Sequence, residues 1–194
     1  MQRPSFYYDV SSPYAYLAAC RVDEVLPVRP QWRPIAFGVI VRRLGKVPWS
    51  FGEHRDDDFA VIAERASGRG LPEVRYPEGW PAETYSLTPI RAALLASDEE
   101  QLRAVSHQLF RMMFVEGRHL ANVETVIEAA VRAGMDPERV REGVDSPEVK
   151  QELRERTAEA VAKGVTGVPT VIIGDKLYWG DDRLEEAAGA YPAV

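Results

Sequence analysis

Strand-forming patterns occur only near the two ends of this 194-residue chain; everything from about residue 38 to residue 143 reads as helix and loop. At the front, residues 5–10 are β-rich and aromatic, and Pro13 suits a first helical position with Ser12 as its cap. That helix should run to about residue 26, with Tyr14, Leu17, Ala18, Val22 and Val25 on one stripe and Pro27 as its stop. Residues 31–36 read as a second strand, so the opening is βαβ. At the far end, Ser146-Pro147 opens a charged helix that ends near Gly164. Residues 170–173 and 176–179 then form a hairpin around Gly174-Asp175, and Asp182 starts a last helix, giving αββα. Between these flanks, residues 59–66, 86–96, 99–116, 122–133 and 137–143 show helical periodicity or caps. Pro72, Pro77, Pro81 and Pro89 interrupt the early part of that block.

Neither flank has enough residues to bury a core alone, so both must supply strands to one sheet. The expected architecture is an α/β, thioredoxin-like fold with a large all-helical insertion. Its parts are residues 1–40 (βαβ), 41–144 (insertion) and 145–194 (αββα). Hydrophobic content of 45% and charged content of 28% fit such a unit. The net charge of −6, with both signs interspersed, argues against nucleic acid or an anionic membrane as partner. No apolar leader or run of spanning length is present, so a cytoplasmic protein is expected. The single cysteine, Cys20, excludes an internal disulfide, and His54, His107 and His119 have no zinc-type spacing, so no metal is expected.

The junction between the first strand and helix, Ser12-Pro13-Tyr14-Ala15, has the form of a redox loop with both sulfurs missing. Ser-x-x-Ala cannot exchange disulfides. A hydroxyl at a helix mouth can instead donate a hydrogen bond to an anion, and the useful anion is a thiolate carried by another molecule. Lowering a thiol pKa of about 8.5 by two units needs only about 2.7 kcal/mol of differential stabilisation. One charge-assisted hydrogen bond and the helix dipole can supply that. Ser12 also serves equally well as an ordinary helix cap.

Three segments carry a resemblance: residues 6–17 (FYYDVSSPYAYL), 167–170 (GVPT) and 179–184 (WGDDRL). Together they are similar to the kappa-class glutathione transferases and 2-hydroxychromene-2-carboxylate isomerases, relatives of DsbA. The resemblance implies that Ser12 contacts the sulfur of glutathione or another small thiol. It also implies that Pro169 is a cis-proline facing that site, with Val168 offering its backbone to a bound tripeptide. Asp182, at a helix mouth, would receive the ammonium of a γ-glutamyl group, although Asp182 and Glu185 also make a capping box. Asp181 replaces the neutral donor usual in relatives, and Lys46 stands about where relatives place an asparagine. Lys46 is therefore expected to offset the extra carboxylate of Asp181 by pairing with a carboxylate of the cofactor, or else to be a solvated loop lysine.

The activity implied is thiol-dependent cis–trans isomerisation of an aromatic-degradation intermediate, in which the thiol adds to a conjugated double bond, the bond rotates and the thiol leaves. Conjugation of glutathione to an electrophile is the close variant, and a non-catalytic thiol- or peptide-binding module is the alternative. Relatives of this class are commonly homodimers. Tyr14, Trp49, Trp80 and Tyr85 are candidate walls of an aromatic substrate pocket, while Cys20 reads as a small buried residue. His107 and His119 are expected on one helix whose Leu109, Phe110, Met113 and Phe114 form core.

Overall fold

The computed structural model describes residues 3–84 and 86–191. Four short strands form one mixed sheet in the order β2-β1-β3-β4, with β1 at Ser5–Tyr8, β2 at Gln31–Pro34, β3 at Thr170–Ile173 and β4 at Lys176–Trp179. β1 runs parallel to β2, pairing Phe6 with Trp32, and antiparallel to β3, pairing Tyr7 with Thr170. The two ends of the sequence thus meet at the centre of the sheet, as the shortage of core in either flank requires. β3 and β4 form the hairpin around Gly174-Asp175.

Alternation along β1 separates the two faces. Phe6 and Tyr8 point into the larger core, where they meet Trp32, and Tyr8 also meets Phe110. Tyr7 points the other way, into a smaller cluster with Ile35, Ile40 and Ala160. The large core is closed by α1 (Pro13–Ala19), α5 (Leu87–Leu94), α6 (Glu99–Phe114) and α7 (Val123–Arg132). The small one is closed by α3 (Phe37–Arg43) and α9 (Pro147–Ala162). The remaining helices are α2 (Val22–Val25), α4 (Arg55–Gly68), α8 (Pro137–Gly143) and α10 (Leu184–Ala188), with one 3-10 turn at Trp49–Phe51.

Several boundaries differ from the sequence expectation, each for a local reason. β1 ends at Tyr8 rather than residue 10 because the Asp9 carboxylate takes the N–H of Ser11, and the Asp9 carbonyl takes that of Ser12, turning the chain. The first helix does not run unbroken to residue 26. It tightens at its end, where Arg21 N–H bonds Ala18, and restarts as α2. β2 ends at Pro34 because Ala36 N–H turns away to Thr157 Oγ1. Helix α3 has no sequence signal: its glycine, its β-branched residues and a cap without a side-chain bond all disguise it. α4 begins four residues earlier than expected, with Asp56, Asp57 and Asp58 in its first turn. α6 ends at Phe114, so His119 lies in the following loop and not on the helix with His107.

Candidate functional site

Ser12 caps α1 in extended backbone, and its Oγ accepts the N–H of Ala15 at 3.2 Å. That bond uses a lone pair of the oxygen and leaves the hydroxyl hydrogen free; among the described residues it has no acceptor. Ser12 faces a cleft of about 500 Å³, within the usual range for small-molecule sites. Val168 and Pro169, joined by a cis peptide bond, line the same cleft. Neither the N–H nor the C=O of Val168 has a hydrogen-bond partner among the described residues. The hydroxyl and this backbone are the polar groups a thiol-bearing peptide needs: a donor for sulfur and a donor and acceptor for an amide.

Behind Ser12 the loop is fixed by Asp9, which is fully buried. Its Oδ1 accepts the N–H and O–H of Ser11 at 2.9 and 2.7 Å, and its Oδ2 accepts Phe37 N–H at 2.9 Å and Ser86 Oγ–H at 3.1 Å. Burial pushes its carboxyl above the ordinary carboxylate range, against the lowering effect of those donors. Asp9 therefore ties the starts of α3 and α5 to the Ser12 loop. Sequence reasoning passed over it, although an aspartate among buried strand residues just before a turn is a visible signal.

The far wall is the turn after β4. Gly180 has φ of +126°, and a Cβ there would lie 2.4 Å from Asp182 Oδ1, so only glycine fits. Asp181 and Asp182 both line the cleft, but they differ. Asp181 is buried and clamped by two arginines of α4: Arg65 Nη1 donates to Oδ1 at 2.5 Å and Arg69 Nη1 to Oδ2 at 2.6 Å. Asp182 is exposed and accepts Arg65 Nη2 at 3.2 Å. Two expectations are corrected here. Arg183 rather than Asp182 caps α10, with no side-chain bond, so the capping box does not form. Asp181 is balanced within the protein by Arg65 and Arg69, so it needs no offset through the cofactor; Lys46 is exposed, has no carboxylate partner among the described residues and does not line the cleft.

Arg65 is the charged residue that sequence reading missed. It lines the cleft, sits 5.8 Å from the centre of the Tyr14 ring and keeps further N–H donors. The Tyr14 hydroxyl donates to Asp58 at 2.5 Å, and burial pushes its pKa up. Tyr14 meets Trp49 edge-on at 5.5 Å, and Trp49 meets the mostly buried Trp80 at 5.9 Å. All three line the cleft. Tyr85 lies outside the described residues. Trp179 is 61% exposed at the mouth, and a Cβ on Gly167 would sit 2.2 Å from its Nε1, which accounts for the glycine before Val168-Pro169.

Residues 5–192 match the model of the DSBA-like thioredoxin domain. The chain belongs to the DsbA-like thioredoxin family. Within this family it is 34% identical over 205 residues to 2-hydroxychromene-2-carboxylate isomerase of Pseudomonas sp. (strain C18), covering 96% of this chain and 90% of that one. It is 25% identical over 198 residues to human glutathione S-transferase kappa 1, covering 92% and 86%. A solved structure of 2-hydroxychromene-2-carboxylate isomerase superimposes with a TM-score of 0.85 at 21% identity over 97% of this chain and 94% of that one. These DsbA-like relatives are enzymes. Among the described residues no helix is long and apolar enough to cross a membrane, and no three or more His, Cys, Asp or Glu side chains are grouped to hold a metal ion.

Proposed function

We propose that the chain is a cytoplasmic, glutathione-dependent cis–trans isomerase of the 2-hydroxychromene-2-carboxylate type, acting on a small aromatic substrate, with glutathione transfer to an electrophile as the close variant. The observation that carries the reading is that one cleft holds both the Ser12 hydroxyl hydrogen and the Val168 backbone, neither with a partner among the described residues. When bound, the thiol supplies a sulfur nucleophile that adds reversibly to a conjugated double bond. Ser12 donates to that sulfur and favours its anionic form. Val168 and Pro169 hold the cysteinyl backbone, and Asp182 receives the ammonium of the γ-glutamyl end. Arg65, whose guanidinium spans Asp181 and Asp182, takes the adjoining carboxylate with its remaining donors. Tyr14, Trp49 and Trp80 form the apolar wall for the aromatic substrate.

The test is equilibration of 2-hydroxychromene-2-carboxylate with its ring-opened trans isomer, followed optically with and without glutathione. The expected result is turnover that requires the thiol and falls at least a hundredfold in Ser12→Ala. If thiols quench Trp179 fluorescence, showing binding, yet neither isomerisation nor conjugation occurs, the protein is a thiol-binding module and the proposal fails.

A further inference from the structure

A second cavity, of about 270 Å³, lies on the opposite face of α3 from the Ser12 cleft, between α3, the start of α5 and α9. Its floor is apolar: Ile40 and Leu153 are buried, and Val39 reaches its edge 53% exposed. Around that floor stand four cations, Arg43, Arg91, Lys150 and Arg154. Such a concentration of positive charge is out of keeping with a chain of net charge −6.

The cluster is only partly neutralised from within, by one carboxylate for four cations. Arg91 and Lys150 share the same oxygen of Asp145, at 3.2 and 2.9 Å, and that carboxylate is 73% exposed. Arg43 has no carboxylate partner among the described residues, and Arg154 bonds only Gln151. Among the described residues Arg91 Nε is buried without a hydrogen-bond partner, a costly arrangement for a donor. One exposed carboxylate shared by two of four cations leaves an excess of positive charge at the cavity, which an anion would offset.

We infer that this cavity is a binding site for a compact arenecarboxylate, its ring on the Ile40 and Leu153 floor and its carboxylate among Arg43, Arg91, Lys150 and Arg154. The volume is slightly below that of most drug-sized sites, which favours a one- or two-ring acid over a long acyl chain. The apolar floor favours an organic acid over a bare inorganic anion, which would leave that surface in water. The site stands apart from the Ser12 cleft and does not depend on the reading of its chemistry.

The test is titration of the methyl-labelled protein with naphthalene-2-carboxylate, following methyl resonances by NMR. Ile40, Leu87 and Leu153 report on this cavity; Val41 and Val168 report on the Ser12 cleft. The expected result is saturable shifts at Ile40, Leu87 and Leu153, with Kd raised at least tenfold in Arg91→Gln/Lys150→Gln and for the neutral naphthalene-2-carboxamide. The exposed variants Arg43→Gln/Arg154→Gln and Ala158→Trp, the last filling the cavity, should also weaken binding and leave folding unaffected. The inference is overturned if only Val41 and Val168 respond, if the amide binds as tightly as the acid, or if these variants bind unchanged. It is equally overturned if the cavity methyls shift with protein concentration alone, because a second copy then covers this face.

Discussion

Arg65 Nη1 donates to Asp181 Oδ1 across 2.5 Å, joining α4 to the turn after β4 across 116 positions of sequence. With Arg69 on the other oxygen, the buried carboxylate is held from both sides. Asp181→Ser would leave two arginines facing a site that cannot accept both. Because both arginines reach water, the loss should be at the low end for a buried ion pair, about 2–3 kcal/mol. It is measured as a lower urea midpoint with an unchanged slope. Lys46→Ala, by contrast, should leave both the midpoint and thiol affinity unchanged.

Cys20 should behave as an inert thiol. Burial pushes its pKa up to about 11, so almost no thiolate exists near neutral pH. Reaction with a disulfide reagent at pH 7.5 should be slow in the native protein and stoichiometric after denaturation. Rapid labelling of native protein would place Cys20 in a different environment.

Gly167→Ala should displace Trp179. The new methyl carbon would sit 2.2 Å from the indole Nε1, so the ring must swing away from the cleft mouth. The expected signature is a changed tryptophan emission in the free protein and a weaker thiol complex, with the fold intact by circular dichroism. An unchanged emission spectrum would mean the ring does not rest on this glycine in solution.

Much of the fold was legible because its signals are local. Ser12-Pro13 and Ser146-Pro147 announce helix starts, Gly174-Asp175 announces the hairpin, and the lack of strands in the middle forces the two ends into one sheet. What stayed hidden depends on distant partners. α3 has a sequence no helix rule favours and is held by packing of Ile40 against Tyr7 and Ala160. In the candidate site, Ser12, Val168, Pro169, Asp181 and Asp182 could be named from sequence, and the structure gathers them at one cleft. Arg65 could not, because its role exists only once α4 lies beside the 181–182 turn.

Asp9 predicts a pH dependence of stability with a definite sign. Burial raises its folded pKa above the unfolded value of about 3.9, so the folded state holds that proton more tightly. Its contribution to stability is present at and below the unfolded pKa and is lost as pH rises through the folded pKa. Urea midpoints of the wild type and Asp9→Asn should be compared from pH 4 to pH 8. The advantage of the wild type over the variant should shrink as pH rises. An advantage that grows with pH would mean that the ionised carboxylate is the stabilising form.

The most direct test of the account is a pH titration of thiolate absorbance for glutathione bound to the wild type and to Ser12→Ala. A charge-assisted hydrogen bond of about 1.5–3 kcal/mol corresponds to a pKa difference of about 1–2 units. The account predicts that bound glutathione ionises well below the free thiol value of about 8.5 in the wild type, and about 1–2 units higher in Ser12→Ala. If both complexes titrate at the same pH, Ser12 is a helix cap and nothing more, and the assignment of this cleft to thiolate chemistry is wrong.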